Sequence, residues 1–284
     1  MNTQCDLPGI LKLESSSGNL TRLTITGPHA NATIYRHGAQ VALFQPHGER
    51  PVLFMSQQSQ YAADKPIRGG IPVIFPWFGA HPTDPTAPAH GTARLTDWDL
   101  ISTVQRADGV VELLFALPPF LQYRVAIGRQ LELTLEVNNT GKTPLQFEEA
   151  LHTYFAVSDI RQCSVTGLEN ARYDSTVEGV TGQSQGANPI RFTAETDRLY
   201  LNTSATCVIH DPGWQRRIVV EKTGSDSTVV WNPWIAKAKA MPDFGDDEWP
   251  AMLCIETVNA RCNSVTLAPG QTHALRATVR VEKI

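Results

Sequence analysis

The chain has 284 residues, of which 42% are hydrophobic and 18% charged, with a formal net charge of −4. That apolar share supports a substantial core and excludes a disordered chain. A mildly acidic balance with no long lysine or arginine run excludes a nucleic-acid or anionic-membrane footprint, so any anion site has to be built locally from a few placed cations.

Five cysteines, at positions 5, 163, 207, 254 and 262, are odd in number and lack Cys-x-x-Cys spacing, which argues against a disulfide framework and a zinc site. The opening residues Met1 to Asp6 carry no basic segment followed by an apolar run. No stretch approaches the roughly 18 apolar residues of a membrane span. A soluble, cytoplasmic protein without a membrane partner is the expectation.

From Leu20 to Met55 the pattern is short and alternating. Strands are predicted at 23–26, 32–35, 41–44 and 52–54, with turns at Gly27-Pro28, His37-Gly38 and His47-Gly48. The stretch 65–79 and its continuation 89–94 differ from ordinary strand or helix. Prolines 66, 72 and 76 break any helix, and Gly69-Gly70 permits positive φ or a close backbone approach. Arg68, His90 and Arg94 bracket an apolar run from Ile71 to Phe78. A rigid backbone, aromatic walls and fixed cations suit an anionic, partly apolar ligand. The plain alternative is a crossover loop whose arginines cap carbonyls.

Strands at 98–104 and 110–116 flank the hairpin signal Ala107-Asp108-Gly109, and 125–127 and 131–137 precede a turn at Asn138 to Gly141. Residues 145–157 read as one strand with apolar odd positions. Its even positions put His152 on a face with Tyr154, Glu148 and Gln146, either a sugar-binding lining or a solvated sheet surface. Residues 179–189 read as a polar loop, Trp231 and Trp234 as a stacking pair or core filler, and 243–248 as a solvated acidic loop. In 251–259 both faces are largely apolar, so the strand should be covered on both sides. Glu256 would then be desolvated, its pKa raised, and its carboxylate a better proton acceptor near neutrality. Alternatively it pairs with Arg261 at a strand end. No helical period exceeds two turns, and neither a repeat nor a linker is visible. The expected fold is all-β, a large antiparallel β-sandwich in a single domain over 1–284.

Arg-Gly-Gly-Ile-Pro at 68–72, Phe-Pro-Trp-Phe-Gly at 75–79 and His-Gly-x-Ala-Arg at 90–94 resemble the glucose-6-phosphate 1-epimerase (hexose-6-phosphate mutarotase) family. That family lies within the aldose 1-epimerase group of galactose-mutarotase-like β-sandwiches. The resemblance runs from about Ala30 to the end and is weakest before Leu20 and across 177–191. It implies interconversion of the anomers of a small-molecule hexose phosphate by acid/base ring opening, with no metal and no cofactor. It implies His152 as the acid at the ring oxygen and Glu256 as the base. It further implies Arg68 and Arg94 as contacts to substrate and phosphate, Asp197 as a partner of sugar hydroxyls, and His90 as a second ring-oxygen contact. Ala89 stands where similar chains often carry glutamine, which bears on substrate preference. Two rivals remain open: a non-catalytic sugar-phosphate-binding module on the same sandwich, and a glycoside hydrolase, which would need paired carboxylates across a cleft. Phosphate-loop, dinucleotide and His-Glu-x-x-His motifs are absent from the sequence.

Overall fold

The computed structural model describes residues 6–284; Cys5 and almost all of the amino-terminal segment read above lie outside them. Strands dominate, and every named strand pair is antiparallel. Leu11–Ser15, Thr21–Thr26, Ala30–Tyr35 and Gln40–Pro46 form a four-stranded meander. An eight-stranded sheet runs from Ser164–Thr166 through Cys207–Asp211, Arg216–Thr223, Thr272–Lys283, Leu131–Asn138, Leu121–Ile127 and Val111–Leu117 to Asp99–Gln105. In Leu131–Asn138 buried and half-buried residues alternate strictly, as a strand with only one face on the core should.

The second eight-stranded sheet positions the site. Its order is Val180–Ser184, Arg172–Ser175, Thr196–Leu201, Ser227–Asn232, Met252–Asn259, Glu149–Leu151 and Val73–Ile74, with Tyr154–Ala156 also paired to Met252–Asn259. Phe155, Leu253 and Ile255 of this sheet join Phe115, Tyr123, Leu133 and Leu135 of the other in one apolar cluster. On the opposite side Ile74, Ala150, Val229 and Val258 form a second, smaller cluster. Met252–Asn259, lying between them, is therefore buried at every position, as its two apolar faces predict.

Four expectations need correction. Residues 145–157 do not form one strand. Leu145–Phe147 pairs with Val265–Leu267, and only Glu149–Leu151 and Tyr154–Ala156 join the central sheet. These two share one register on Met252–Asn259, with Leu151 opposite Thr257 and Tyr154 opposite Cys254. The ladder opens only at His152 and Thr153, where the same register sets His152 across from Glu256. The His152 amide turns to Pro72 O instead, at 3.0 Å. Nor is the even-numbered face solvated along its length: Gln146 is exposed, but Ala150, His152 and Tyr154 are buried. Residues 180–184 are an edge strand rather than loop. Residues 52–54 contribute an isolated bridge, Leu53 to Phe155, rather than a strand.

The α-helix Trp234–Ala240 is two turns long, and no helix among the described residues is long and apolar enough to cross a membrane. Cys163, Cys207, Cys254 and Cys262 are unpaired.

The proline- and glycine-rich stretch threads between the meander and the central sheet. Gly69 and Gly70 have φ of 114° and 61°, and a Cβ there would lie 2.5 Å from Phe54 O and 2.3 Å from Val41 O. Only glycine satisfies both the dihedral and the approach.

Candidate active site

A cavity of about 660 Å³ opens beside the interruption in the ladder, and its lining includes Arg68, His90, Arg94, His152, Asp197 and Glu256. All six residues singled out in the sequence thus meet in one pocket, although they come from five separate segments.

His152 and Glu256 are its floor. Nε2 of His152 lies 3.4 Å from Oε1 of Glu256, and both side chains are buried. His152 stacks on Tyr154 at a centroid distance of 4.9 Å and meets His90 edge-on at 5.5 Å. Burial pushes the imidazole well below its ordinary pKa, reinforced by His90, Arg94 and Arg68. Burial pushes the Glu256 carboxyl well above its ordinary value, reinforced by Asp197 and opposed by Arg94. Burial thus disfavours the charged form of each member of the pair. Nδ1 of His152 and Oε2 of Glu256 are buried without a hydrogen-bond partner. Orphaned buried polar atoms are costly, and a catalytic role is one of the explanations for keeping them.

The cations differ in how far they are engaged. Arg68 directs Nε and Nη2 to Asp243 Oδ2, at 3.2 and 3.0 Å, and Nη1 to the Tyr154 hydroxyl at 2.9 Å. Burial works against its charge, but Tyr154 and Asp243 outweigh it, and its pKa is raised. Arg94 donates from Nη2 to Ala89 O at 2.8 Å, while its Nε is buried and unpartnered. Burial draws its pKa down to about 10. His90 sits at φ 63°, accepts the Gly79 amide on Nδ1 at 3.2 Å, and is driven by burial, Arg94 and Arg68 to about 3, so it is neutral. Asp197 is raised by burial and by Glu195, against Lys237 and Arg261.

The acidic stretch 243–248, expected to be solvated, is so only in part: Asp246 and Asp247 are exposed. Asp243 is 8% exposed and pairs with Arg68, and Glu248 accepts from Ser56 Oγ at 2.6 Å and from the Gln57 amide at 2.8 Å. Glu248 and Asp243 thereby strap this segment across the pocket wall. Glu148 is not a sugar-facing group. Its oxygens accept the Phe78 amide at 2.8 Å and the Arg261 amide at 2.7 Å, tying two pocket loops together. Gly70 N is already bonded to Phe54 O at 2.7 Å, and Lys65 lies beside Asp64 outside the pocket lining, so neither approaches a bound anion. Arg261 does not pair with Glu256; the carboxylate faces His152 instead.

Sequence reasoning did not assign Asp243, Cys254, Met241 or Lys237 to the site. Cys254 lies two residues before Glu256 on the same strand face and was legible as a neighbour; the others had no local signal. His152, Cys254 and Glu256 are the one metal-compatible group found among the described residues, their ligand atoms within 4.8 Å of one another. The buried guanidinium groups of Arg68 and Arg94, which already disfavour positive charge on His152, oppose a further cation there.

Residues 21–280 match the family model described as aldose 1-epimerase. A Cenchrus ciliaris protein provisionally named a glucose-6-phosphate 1-epimerase is 32% identical over 281 residues, covering 92% of this chain and 84% of the relative. An Escherichia coli K12 protein of the same provisional name is 32% identical over 276 residues, covering 93% and 91%. The crystal structure of a provisionally assigned mutarotase from Salmonella typhimurium superposes with a TM-score of 0.91 at 29% identity, covering 99% of this chain and 96% of that one. With a fold of two facing antiparallel sheets, a buried histidine–glutamate pair at the pocket floor and a family match over nearly its whole length, the chain belongs to the aldose 1-epimerase family.

Proposed function

We infer that this protein interconverts the α and β anomers of a hexose 6-phosphate, on one domain that spans the chain. The observation that carries the reading is the buried His152–Glu256 pair, 3.4 Å apart and with one orphaned atom on each side chain, at the floor of a sugar-sized cavity. Anomer exchange needs one group to take the proton of the C1 hydroxyl and another to protonate the ring oxygen. The ring opens, the aldehyde rotates, and the ring closes on the other face.

Glu256 is the base and His152 the acid in this reading. The pair shares one proton. Moving it from carboxyl to imidazole across the 3.4 Å gap creates the carboxylate and imidazolium that ring opening consumes. Both species carry the same total protonation, so the working form needs no proton from solvent. Ring closure reverses the roles and returns the site to its starting state. Arg94, with its unpartnered Nε, contacts the substrate. Arg68 orders the wall through Asp243 and Tyr154, and Asp197 binds ring hydroxyls. His90, neutral, is a second contact for the ring oxygen. The family match and the provisional names of the relatives support the substrate class. The cytoplasm, where such metabolites lie, is the proposed location.

The test is two-dimensional NMR exchange on glucose-6-phosphate. Cross-peaks between the α and β C1 protons should grow in proportion to added protein, above the spontaneous rate. Exchange no faster than in buffer, on a panel of phosphorylated and free hexoses, rejects the reading.

A further inference from the structure

An imidazole that delivers a proton has to hold its plane, because the proton leaves along the N–H direction. The ring nitrogen that does no chemistry commonly fixes tautomer and orientation through a hydrogen bond of its own. His152 has no such bond among the described residues. Its Nδ1 is buried and unpartnered, and Nε2 stands 3.4 Å from Glu256 Oε1. The last torsion of a histidine is broad and roughly two-fold, so the side chain alone does not select one ring orientation.

Packing supplies the missing constraint. Tyr154 lies face-on against the imidazole, with centroids 4.9 Å apart and an angle of 10° between the planes. His90 meets the imidazole edge-on at 5.5 Å and 75°, and Trp231 does so at 6.1 Å and 81°. Of the three rings only the stacked one defines a plane, because tilting the imidazole would drive it into the tyrosine face. Tyr154 is itself held at both ends. Its amide donates to Gly70 O at 2.9 Å and its carbonyl accepts the Phe54 amide at 3.0 Å. Its hydroxyl accepts from Arg68 Nη1 at 2.9 Å, and Arg68 is anchored by Nε and Nη2 on Asp243 Oδ2. Trp231 meets the tyrosine edge-on as well, at 5.8 Å and 81°. The tyrosine is 1% exposed, and burial pushes its phenol up to about 12, so it stays protonated near neutrality.

We propose that Tyr154 is the positioning residue for His152: its ring, pinned through Arg68 and Asp243, sets the imidazole plane so that Nε2 faces Glu256 without a hydrogen bond at Nδ1. The proposal deepens the anomer-exchange reading and rests on it. Tyr154 transfers no proton and acts through the histidine. The ion pair of Arg68 with Asp243 thereby bears on the proton transfer, since it fixes the far end of the ring on which the acid is stacked.

The experiment compares wild type with Tyr154→Leu, which keeps apolar bulk without a ring, and Tyr154→Phe, which keeps the ring without the hydroxyl. Tyr154→Leu is also made in a His152→Ala background. Anomer exchange on glucose-6-phosphate gives kcat and KM. Carbon–proton NMR of the His152 ring, assigned by its loss in His152→Ala, reports the stack through the upfield displacement that a tyrosine face imposes. Tyr154→Leu should lower kcat about 10²-fold, as a misplaced reacting group does, with KM little changed. Tyr154→Phe should recover most of that rate, losing at most about tenfold for one charge-assisted hydrogen bond. The His152 signal should move downfield in the leucine variant and stay in place in the phenylalanine variant. In the His152→Ala background Tyr154→Leu should cost little more, since nothing is left to position. Should the leucine variant not fold, Tyr154→Met takes its place with the same outcomes expected, because an unbranched chain fills irregular space. Near-wild-type kcat without the ring, a loss in Tyr154→Phe as large as in Tyr154→Leu, or a full further loss in the His152→Ala background overturns the proposal. If wild type catalyses no exchange at all, the anomer reading falls and the NMR signal alone judges the positioning. A signal displaced without the ring then retains it, and one that stays in place removes it.

Discussion

His152 and Glu256 face each other where solvent has little access, and that sets how their protons behave. Burial lowers the imidazole and raises the carboxyl, so the two titrate as a coupled pair away from their ordinary values. Activity should follow a bell whose limbs are displaced from the ordinary carboxyl and imidazole values. Both limbs belong to the pair rather than to either residue. Free glucose is the better probe, since the second phosphate pKa near ~6 distorts the acid limb with a sugar phosphate. Limbs at the ordinary values of about 4.5 and 6.5 would contradict the coupled account. His152→Ala and Glu256→Gln should each cost about 10²- to 10⁴-fold in kcat. The double variant should lose far less than the product, because one proton cycle cannot be broken twice. Near-wild-type exchange in either single variant would remove that residue from the mechanism. The desolvation of Glu256 was legible because both faces of its strand are apolar. The lowering of His152 was not, since besides burial it depends on His90, Arg94 and Arg68 arriving from other segments. Asp243 was missed for the same reason: its partner lies 175 residues away, and a two-residue contact at that distance leaves no local pattern.

At the scale of elements, the site depends on a strand that stays in register while its ladder is broken. Period-two reading of 145–157 placed His152 beside Tyr154 correctly, but could not see that Pro72 O would capture the His152 amide and part the pairing there. The opening leaves room for two side chains to meet across the gap. Glu148 holds the neighbouring loops with one carboxylate, Phe78 on one side and Arg261 on the other. Glu148→Gln keeps at most one of these two amides satisfied, and Glu148→Ala keeps neither. Expected losses are about 1 and 2–3 kcal/mol of stability, with KM rising in the same order and kcat changing little. Equal KM values in wild type and Glu148→Ala would show that the clamp has no part in shaping the pocket. The edge strand Val180–Ser184 was read as loop because its sequence is polar and carries Gly179 and Gly182, and an edge strand needs no buried face.

At the scale of the whole molecule, alternation and turn signals sufficed for an antiparallel all-β architecture, and the quoted motifs brought the family within reach. Sheet order was out of reach, because strands far apart in sequence become neighbours: Val73–Ile74 pairs with Glu149–Leu151, which in turn pairs with Met252–Asn259. That last strand, buried at all eight positions, has a consequence for how the protein fails. Amide protons reach solvent either by local fraying or by complete unfolding, and a strand with no exposed residue in the middle of a sheet has only the second route. In hydrogen–deuterium exchange, the amides of 252–259 should be the slowest in the chain, and those of the edge strand Val180–Ser184 among the fastest. Anomer exchange in increasing urea should then vanish at the same midpoint as the β-sheet signal, with no inactive folded species in between. An earlier loss of activity, or fast exchange at 252–259, would mean the site can open alone. Otherwise Glu256 ages, survives heat and resists proteolysis on the same clock as the entire fold.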